Sequence, residues 1–185
     1  SWNPDEPDGD INAITIDGGK VYIGGNFSMV GSEFRYNIAA LDASTGSVTT
    51  WAPDADGGVT KILINGGVAY VGGSFTLLGG QARNNIGAIS TTTGFATSWD
   101  PDADELVITM AISGTTLYVG GEFTTIGGAS RDGGIAALSL STGNATSWNA
   151  LGPTGGIVES LVVSGGLLYT GGYFGFIGGQ PRLNL

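Results

Sequence analysis

The sequence contains neither cysteine nor histidine among its 185 residues. The absence of cysteine excludes disulfide bonds, thiolate zinc sites and thiol catalysis. Without histidine, acid–base catalysis would have to rely on pairs of aspartate and glutamate residues. No stretch approaches the roughly 18 consecutive apolar residues that mark a spanning helix, so we expect no membrane insertion.

Positive charge is scarce as well. Six lysine and arginine residues face sixteen aspartate and glutamate residues, which gives a net charge of −10. Nucleic acids and anionic membrane surfaces are bound through basic surfaces. The sequence therefore predicts that neither of them is a partner.

Glycine, by contrast, is abundant, with 35 residues, and it recurs at fixed positions of a long repeat. The period is about 48 residues, which is typical of propeller blades, with the turns of a solenoid as the alternative. We divide the single array 1–185 into units 3–51, 52–99, 100–148 and the partial unit 149–185. The repeat is marked by four tryptophans and four glycine pairs: Trp2, Trp51, Trp99 and Trp148; Gly24-Gly25, Gly72-Gly73, Gly120-Gly121 and Gly171-Gly172.

Unit 2 shows how one repeat is built. A first strand at 59–64 and a second at 68–71 are separated by Asn65-Gly66-Gly67, a hairpin signal that requires positive φ. A loop at 76–80 leads to a third strand at 85–89, and 95–99 is predicted as the fourth. Four short antiparallel strands in one unit predict a propeller blade. The glycine pair indicates a place where no side chain fits beside the neighbouring backbone, and the aromatic residues are expected to fill the wedge between units.

The recurring pattern Tyr-(Val/Ile)-Gly-Gly-x-Phe, then Arg-x-Asn-Ile-Ala-Ala, Thr-Gly and Ser-Trp-x-Pro-Asp resembles the bacterial delta-60 type propeller repeat. It is similar, more distantly, to kelch repeats. The resemblance covers essentially the whole chain and implies a propeller of large secreted or surface-attached bacterial proteins, with no common activity and no catalytic residues. Units 3 and 4 depart from it at Gly133-Gly134 and Leu151-Gly152.

The predicted fold is thus all-β: a β-propeller segment of four-stranded antiparallel blades, with the chain cut through a blade at both ends. Closed propellers have four to eight blades. We therefore expect a slice of a longer protein, with self-association of the chain into a ring as the alternative.

Acidic residues are concentrated in the loop that follows each tryptophan. Carboxylates at alternate positions of an extended loop are ligands that Ca²⁺ can use, and the candidates are Asp54, Asp56, Asp102 and Asp104. The alternative, which we favour, is that these aspartates form Asx-turns and need no cofactor. Both interpretations place them on one rim of the array.

Two further residue types recur once per unit, and both are expected to be structural. A guanidinium fork suits loop carbonyls or an acid of the adjacent unit better than it suits a bound anion here. The tryptophans are expected to pack between units rather than to stack on sugars. The arginines of the repeat are Arg35, Arg83, Arg131 and Arg182.

These observations predict a non-enzymatic extracellular or cell-surface module of a larger bacterial protein, acting in adhesion or as a scaffold. Its partners would be a protein or glycan ligand, further blades of the same chain, or other copies of it. The alternatives are a propeller glycosidase or lyase with catalytic residues in other blades, and a subunit of a surface fibre. Three acids lie outside the repeat, and nothing in the sequence brings them together: Glu33, Glu122 and Glu159.

Overall fold

The computed structural model describes residues 3–131, 133–150, 156–178 and 180–183. These residues form β-strands and no helix, so the all-β prediction is confirmed. Accordingly, the described part of the chain offers no helix able to cross a membrane. Trp2, the pair Leu151-Gly152 and the last two residues, 184–185, lie outside the described residues.

Units 1, 2 and 3 each contain one three-stranded antiparallel sheet, in which the second strand lies at the centre. Unit 4 contributes a two-stranded sheet within the described residues. The first, second and third strands predicted from the repeat are confirmed. They are β1 Asp10–Asp17, β2 Lys20–Asn26 and β5 Ile38–Asp42; β6 Val59–Asn65, β7 Val68–Gly73 and β10 Ile86–Ser90; β11 Val107–Ser113, β12 Thr116–Gly121 and β15 Ile135–Ser139; and β16 Ile157–Ser164 with β17 Leu167–Tyr173.

The first two strands of a unit are joined by the tight turn that the sequence predicts. Asn65 pairs with Val68, so Gly66 and Gly67 are the two central residues of the hairpin. Their φ values are 59° and 80°. Positive φ at both positions defines a type I′ turn, whose twist matches that of the flanking strands.

The segment after the second strand is more ordered than predicted. In place of a loop at 76–80, each unit has a small hairpin made of two strands of two residues each. In unit 2 the chain turns between these strands at Gly79 and Gly80, whose φ values are 58° and 79°. The prediction was wrong because it missed this turn. The hairpins pair β3 Met29–Val30 with β4 Glu33–Phe34, β8 Leu77–Leu78 with β9 Gln81–Ala82, β13 Thr125–Ile126 with β14 Ala129–Ser130, and β18 Phe176–Ile177 with β19 Gln180–Pro181.

The predicted fourth strand is also wrong, since the main sheets of units 1, 2 and 3 are three-stranded. The segment before each tryptophan pairs with the sheet only through isolated bridges, at Val48, Ala96 and Ala145. In unit 2, backbone groups that a longer strand would pair with its neighbour are hydrogen-bonded to side chains instead. The Thr97 carbonyl accepts a hydrogen bond from Arg83, and the Trp99 amide donates to the Thr97 hydroxyl.

The two glycines of each pair lie at two different close approaches. A Cβ on Gly72 would lie 2.6 Å from the Cγ1 of Val107, a residue of the first strand of the next unit. A Cβ on Gly73 would lie 2.1 Å from the Gly58 carbonyl oxygen, beside a bulge between Val59 and Lys61 in the first strand of its own unit. The prediction that no side chain fits at the glycine pair is therefore confirmed. The first glycine allows the close approach of the neighbouring unit, and the second allows the close approach of the bulged backbone of its own unit.

Aromatic residues fill the space between consecutive units. The Tyr70 and Trp99 rings meet edge to face, with centroids 5.1 Å apart, and the Trp99 indole N–H donates to the Ser139 carbonyl of unit 3 at 3.0 Å. Trp51 makes the same contact with Tyr22 and the same bond to Ser90. The prediction of packing between units is thus confirmed for both tryptophans, since each is buried and tied to the following unit.

Candidate functional site

The repeat arginines of units 1, 2 and 3 bond to backbone carbonyls of their own unit. Arg83 donates from one Nη to the Ala82 carbonyl and from the other to the Thr97 carbonyl, each at 2.6 Å, and it lies 3.2 Å from the Asp100 carboxylate. Arg35 and Arg131 form equivalent pairs of bonds, and both are buried. The structural interpretation of these arginines is confirmed, because their donors are directed at the chain rather than at solvent.

Replacing Arg83 with lysine is expected to lower the free energy of unfolding by about 2 kcal/mol. A single ammonium group cannot reach both carbonyls that the fork bonds, and a hydrogen bond to a charged group contributes ~1.5–3 kcal/mol. Urea denaturation measures the change. Arg182→Lys is the matched control, because Arg182 holds the same repeat position but is exposed. Equal losses in the two variants would contradict the role given to the fork.

Three aspartates of the acidic loops fasten the small hairpins. One Asp56 oxygen accepts the amide hydrogens of Thr76 and Leu77 at 2.7 and 2.8 Å, and the other accepts the Thr76 hydroxyl at 2.6 Å. Asp8 and Asp104 make the same three bonds in units 1 and 3. The predicted Asx-turns are therefore wrong for Asp56 and Asp104, since these carboxylates accept amide hydrogens about 20 residues away rather than in their own loops.

These bonds shift the ionisation of the carboxylates. Burial acts to raise the pKa of Asp56, but the hydrogen bonds from the Thr76 hydroxyl and the Leu77 and Thr76 amides outweigh burial and hold the pKa below its usual range. The pKa of Asp104 is lowered by the same balance, with Thr124 and Thr125 as donors. Each carboxylate is therefore stabilised in its charged form by the fold.

Acid is expected to destabilise the protein between about pH 4 and the lower pKa values that the folded state gives Asp56 and Asp104. An unfolded aspartate has a pKa of about 3.9. A group with a lower pKa in the folded state contributes stability above the unfolded value and loses it as the pH falls through the folded value. Thermal unfolding from pH 7 to pH 2.5 measures this effect. Asp56→Asn should flatten the profile relative to the unchanged protein, and an identical profile would contradict the fastening role.

The two remaining candidate metal ligands lie in the same loops but bond to the preceding unit. The Asp54 carboxylate accepts the Tyr36 amide at 3.2 Å, and the Asp102 carboxylate accepts the Asn84 side-chain amide at 2.8 Å. Both residues have positive φ, 49° and 54°. Among the described residues, no three acidic side chains come together in a group that could hold a metal ion. The structure thus gives each of the four candidates hydrogen-bond donors of its own.

Calcium is expected to leave thermal unfolding unchanged, because the four carboxylates already accept hydrogen bonds from the protein. Melting curves with excess Ca²⁺ and with EDTA test this prediction, and binding at a hundred times the dissociation constant would add about 2.7 kcal/mol. A calcium-dependent rise that disappears in the double variant Asp54→Asn/Asp56→Asn would contradict it and establish the loops as metal sites.

A cleft of about 610 Å³ opens on the rim between units 1 and 2. It lies beside the acidic loop, and exposed apolar side chains form much of its wall. Tyr36, Leu77 and Phe95 are all exposed there, and the Phe34 ring lies nearly parallel to that of Tyr36, with centroids 6.4 Å apart. The polar part of the wall consists of Asn37, Thr50, Asp54, Asp56 and Thr93.

The aromatic residues of this rim cleft are departures from the repeat. Asn84 occupies the position of Tyr36 in unit 2, and Ser47 and Asn144 occupy the position of Phe95 in units 1 and 3. Sequence reasoning missed both residues because it followed what recurs. The signal that would have found them is an aromatic residue at a position that other units fill with a polar one.

The non-repeated acids are not brought into the rim cleft. Glu159 lies with Lys61 in a second cleft of about 450 Å³, where the first strands of the four units converge. Glu33 lies 3.8 Å from Arg35. Of the three acids, only Glu159 lines either of these two clefts.

The chain is similar in structure to several solved proteins, although no protein-family model and no curated protein matches it. It superposes on the computationally designed Ika4 protein with a TM-score of 0.66 at 16% identity, covering 95% of this chain and 93% of that one. The designed Ika8 protein gives 0.59 at 17% identity, covering 88% and 42%. BamB from Moraxella catarrhalis, a β-propeller, gives 0.57 at 22% identity, covering 90% and 45%. The chain thus has a β-propeller-like all-β fold and spans less than half the length of the last two proteins.

Proposed function

We propose that the chain is a segment of a β-propeller that serves as a non-enzymatic, extracellular binding module of a larger bacterial secreted or surface protein, with the rim cleft as its ligand site. The resemblance to delta-60 type repeats supports the setting, and the β-propeller-like fold supports the architecture. The observation that carries the binding proposal is the group of exposed apolar side chains at the cleft, Tyr36, Leu77 and Phe95, of which Tyr36 and Phe95 depart from the repeat.

Packing within the fold does not account for large apolar side chains at these exposed positions. The tyrosines and tryptophans of the repeat contribute to stability because they are buried between units, whereas an exposed aromatic ring contributes little to folding. Concave sites with aromatic walls and a few polar groups are typical of ligand binding. Two aromatic departures at one cleft therefore favour recognition over structure.

The chemistry of the loop positions that recur between units supports a non-enzymatic role. Asp56 and Asp104 accept backbone amides, and the repeat arginines donate to carbonyls. A general acid or base needs a proton that it can exchange with a substrate. Carboxylates fully engaged in fastening hairpins are poorly placed for that task.

A neutral glycan is the ligand class that the cleft favours. The Tyr36 and Phe95 rings offer apolar faces, while the Thr50 and Thr93 hydroxyls and the Asp54 carboxylate can bond to sugar hydroxyls. The net charge of −10 disfavours anionic polysaccharides. The rim cleft thus offers the proposed glycan ligand both stacking surfaces and hydrogen-bonding groups.

Calorimetric titration with neutral oligosaccharides, namely cello-, malto-, xylo- and chito-oligomers, tests the proposal. One series should bind, and Tyr36→Ala or Phe95→Ala should weaken that binding at least about tenfold, the equivalent of 1.4 kcal/mol. Phe176→Ala is the control, because Phe176 is exposed but lies outside the cleft. Binding that all three variants retain, or no binding by any series, would contradict a glycan site at the rim.

A further inference from the structure

Large apolar side chains are exposed on two faces at opposite ends of the array. The first-strand face lies on β1 and includes Ile11, Ile14 and Ile16. The second-strand face lies on β16 and β17 and includes Val162 and Tyr169. The same repeat positions are covered wherever one unit packs against another, so these two faces have the composition of an interface.

The internal interfaces show what the first-strand face contacts. By strand register, Ile14 corresponds to Ile62 and Met110. Those two side chains are 1% and 2% exposed because they pack against the preceding unit, whereas Ile14 is 64% exposed. Ile11 likewise corresponds to Val59, whose methyl group fits over Gly24 of the preceding unit. Unit 1 therefore exposes the kind of surface whose side chains pack over the glycine pair of a preceding unit.

Unit 4 exposes the opposite kind of surface, which the first strand of a following unit would cover. Tyr169 corresponds to Tyr22, which is 2% exposed beneath the following unit, whereas Tyr169 is 52% exposed. Gly171 corresponds to the first glycine of the earlier pairs, each of which receives a valine of the next unit. The strands that make most of an internal contact, the first and second of one unit and the first of the next, are all present in the two faces.

We propose that the second-strand face of one copy of this chain receives the first-strand face of a second copy, with Ile11 placed over Gly171. The contact continues the three internal interfaces in the same register and direction. Because it joins two different faces, it is heterologous, and two such contacts close a ring of two copies. The chain covers 42% and 45% of the two longer similar proteins, so two copies match the length of one such protein.

A pairing of like faces would not satisfy the same side chains. Two first-strand faces placed together would set Ile11 and Ile14 against the same residues of the other copy. In the internal interfaces, Gly24, Gly72 and Gly120 each lie against a valine side chain of the next unit. The first-strand face has no glycine on β1 that could make such a contact. The complementarity is therefore between unlike faces.

Light scattering on the size-excluded protein over a concentration series tests the proposal. The expected mass is twice 18.6 kDa, and 18.6 kDa at every concentration would overturn it. Ile14→Glu and Tyr169→Glu should each give the lower mass, with circular dichroism confirming the fold. Phe34→Glu is the matched control, since Phe34 is also 64% exposed but lies on neither face, and it should keep the higher mass.

Mixing the two variants distinguishes unlike from like pairing. Ile14→Glu retains an intact second-strand face, and Tyr169→Glu retains an intact first-strand face. The mixture should therefore regain twice 18.6 kDa through one remaining contact, although each variant alone does not. A mixture that stays at 18.6 kDa, or a Tyr169→Glu variant that dimerises alone, would overturn the heterologous contact.

Discussion

Replacing Trp99 with alanine is expected to lower the free energy of unfolding by about 3–5 kcal/mol, the cost of removing a large buried aromatic side chain. Trp99 is 5% exposed, packs edge to face on Tyr70 and bonds through its indole N–H to the Ser139 carbonyl of the next unit. The substitution therefore empties the wedge between units 2 and 3 and leaves the half-buried Ser139 carbonyl without this donor. Urea denaturation followed by fluorescence of the remaining tryptophans measures the loss.

Two comparisons give this prediction its specificity. Trp99→Phe keeps a smaller aromatic ring but removes the N–H, so it should cost less than Trp99→Ala. Phe95→Ala removes an exposed ring from the same segment and should change stability by less than about 0.5 kcal/mol. An unchanged unfolding transition in Trp99→Ala would rule out the packing between units described above.

Adding a methyl group at either glycine of a pair is expected to be costly, and for different reasons. Gly72→Ala places its Cβ 2.6 Å from Cγ1 of Val107, and overpacking of this kind costs about 1–3 kcal/mol. Gly73→Ala places its Cβ 2.1 Å from the Gly58 carbonyl oxygen. The second substitution should cost more, about 3 kcal/mol or above, since backbone yields less readily than a side chain.

A double-mutant cycle separates the two contacts. Val107→Ala removes the methyl groups that oppose Gly72, so Gly72→Ala should cost clearly less in the Val107→Ala background, with a coupling of about 0.5–3 kcal/mol. Gly73→Ala should cost the same in both backgrounds, because Val107 is not its nearest neighbour. Additive losses for Gly72 and Val107 would contradict direct contact between the two units there.

The repeat made most of the fold predictable. Because each strand recurs with the same turn residues, Asn65-Gly66-Gly67 alone indicates a type I′ hairpin, and the structure has that turn. The glycine pair, the tryptophans and the arginines were predicted to be structural for the same reason, and their contacts agree. Gly134 shows the limit of such reasoning. Gly134 stands at the repeat position that Asn85 holds in unit 2, and it departs from the motif in sequence. Its backbone nevertheless has the same conformation, with a φ of 64° against 59° for Asn85.

The errors arose where side chains replace backbone pairing. The fourth strand is reduced to a bridge because Arg83 and the Thr97 hydroxyl take up the groups around Thr97 and Trp99. The loop at 76–80 is a hairpin because Asp56 binds amides about 20 residues away. Local propensity does not report either interaction, since both partners must first be brought together by the fold.

The candidate site was the least predictable part. The acidic residues were conspicuous in the sequence, but their oxygens accept hydrogen bonds from the protein. The residues that line the rim cleft with exposed apolar surface, Tyr36 and Phe95, come from different units. Their proximity depends on how unit 1 packs against unit 2, which sequence spacing alone does not specify.

The central claim is that the first strands of units 2, 3 and 4 pack against the first glycine of the pair in the preceding unit. Methyl NOE spectroscopy on valine-labelled protein tests this claim most directly. It should show cross-peaks from Val59, Val107 and Val158 methyl groups to the α-protons of Gly24, Gly72 and Gly120, respectively. Cross-peaks confined to protons of the same unit would contradict the account, because the units would then not pack through these strands.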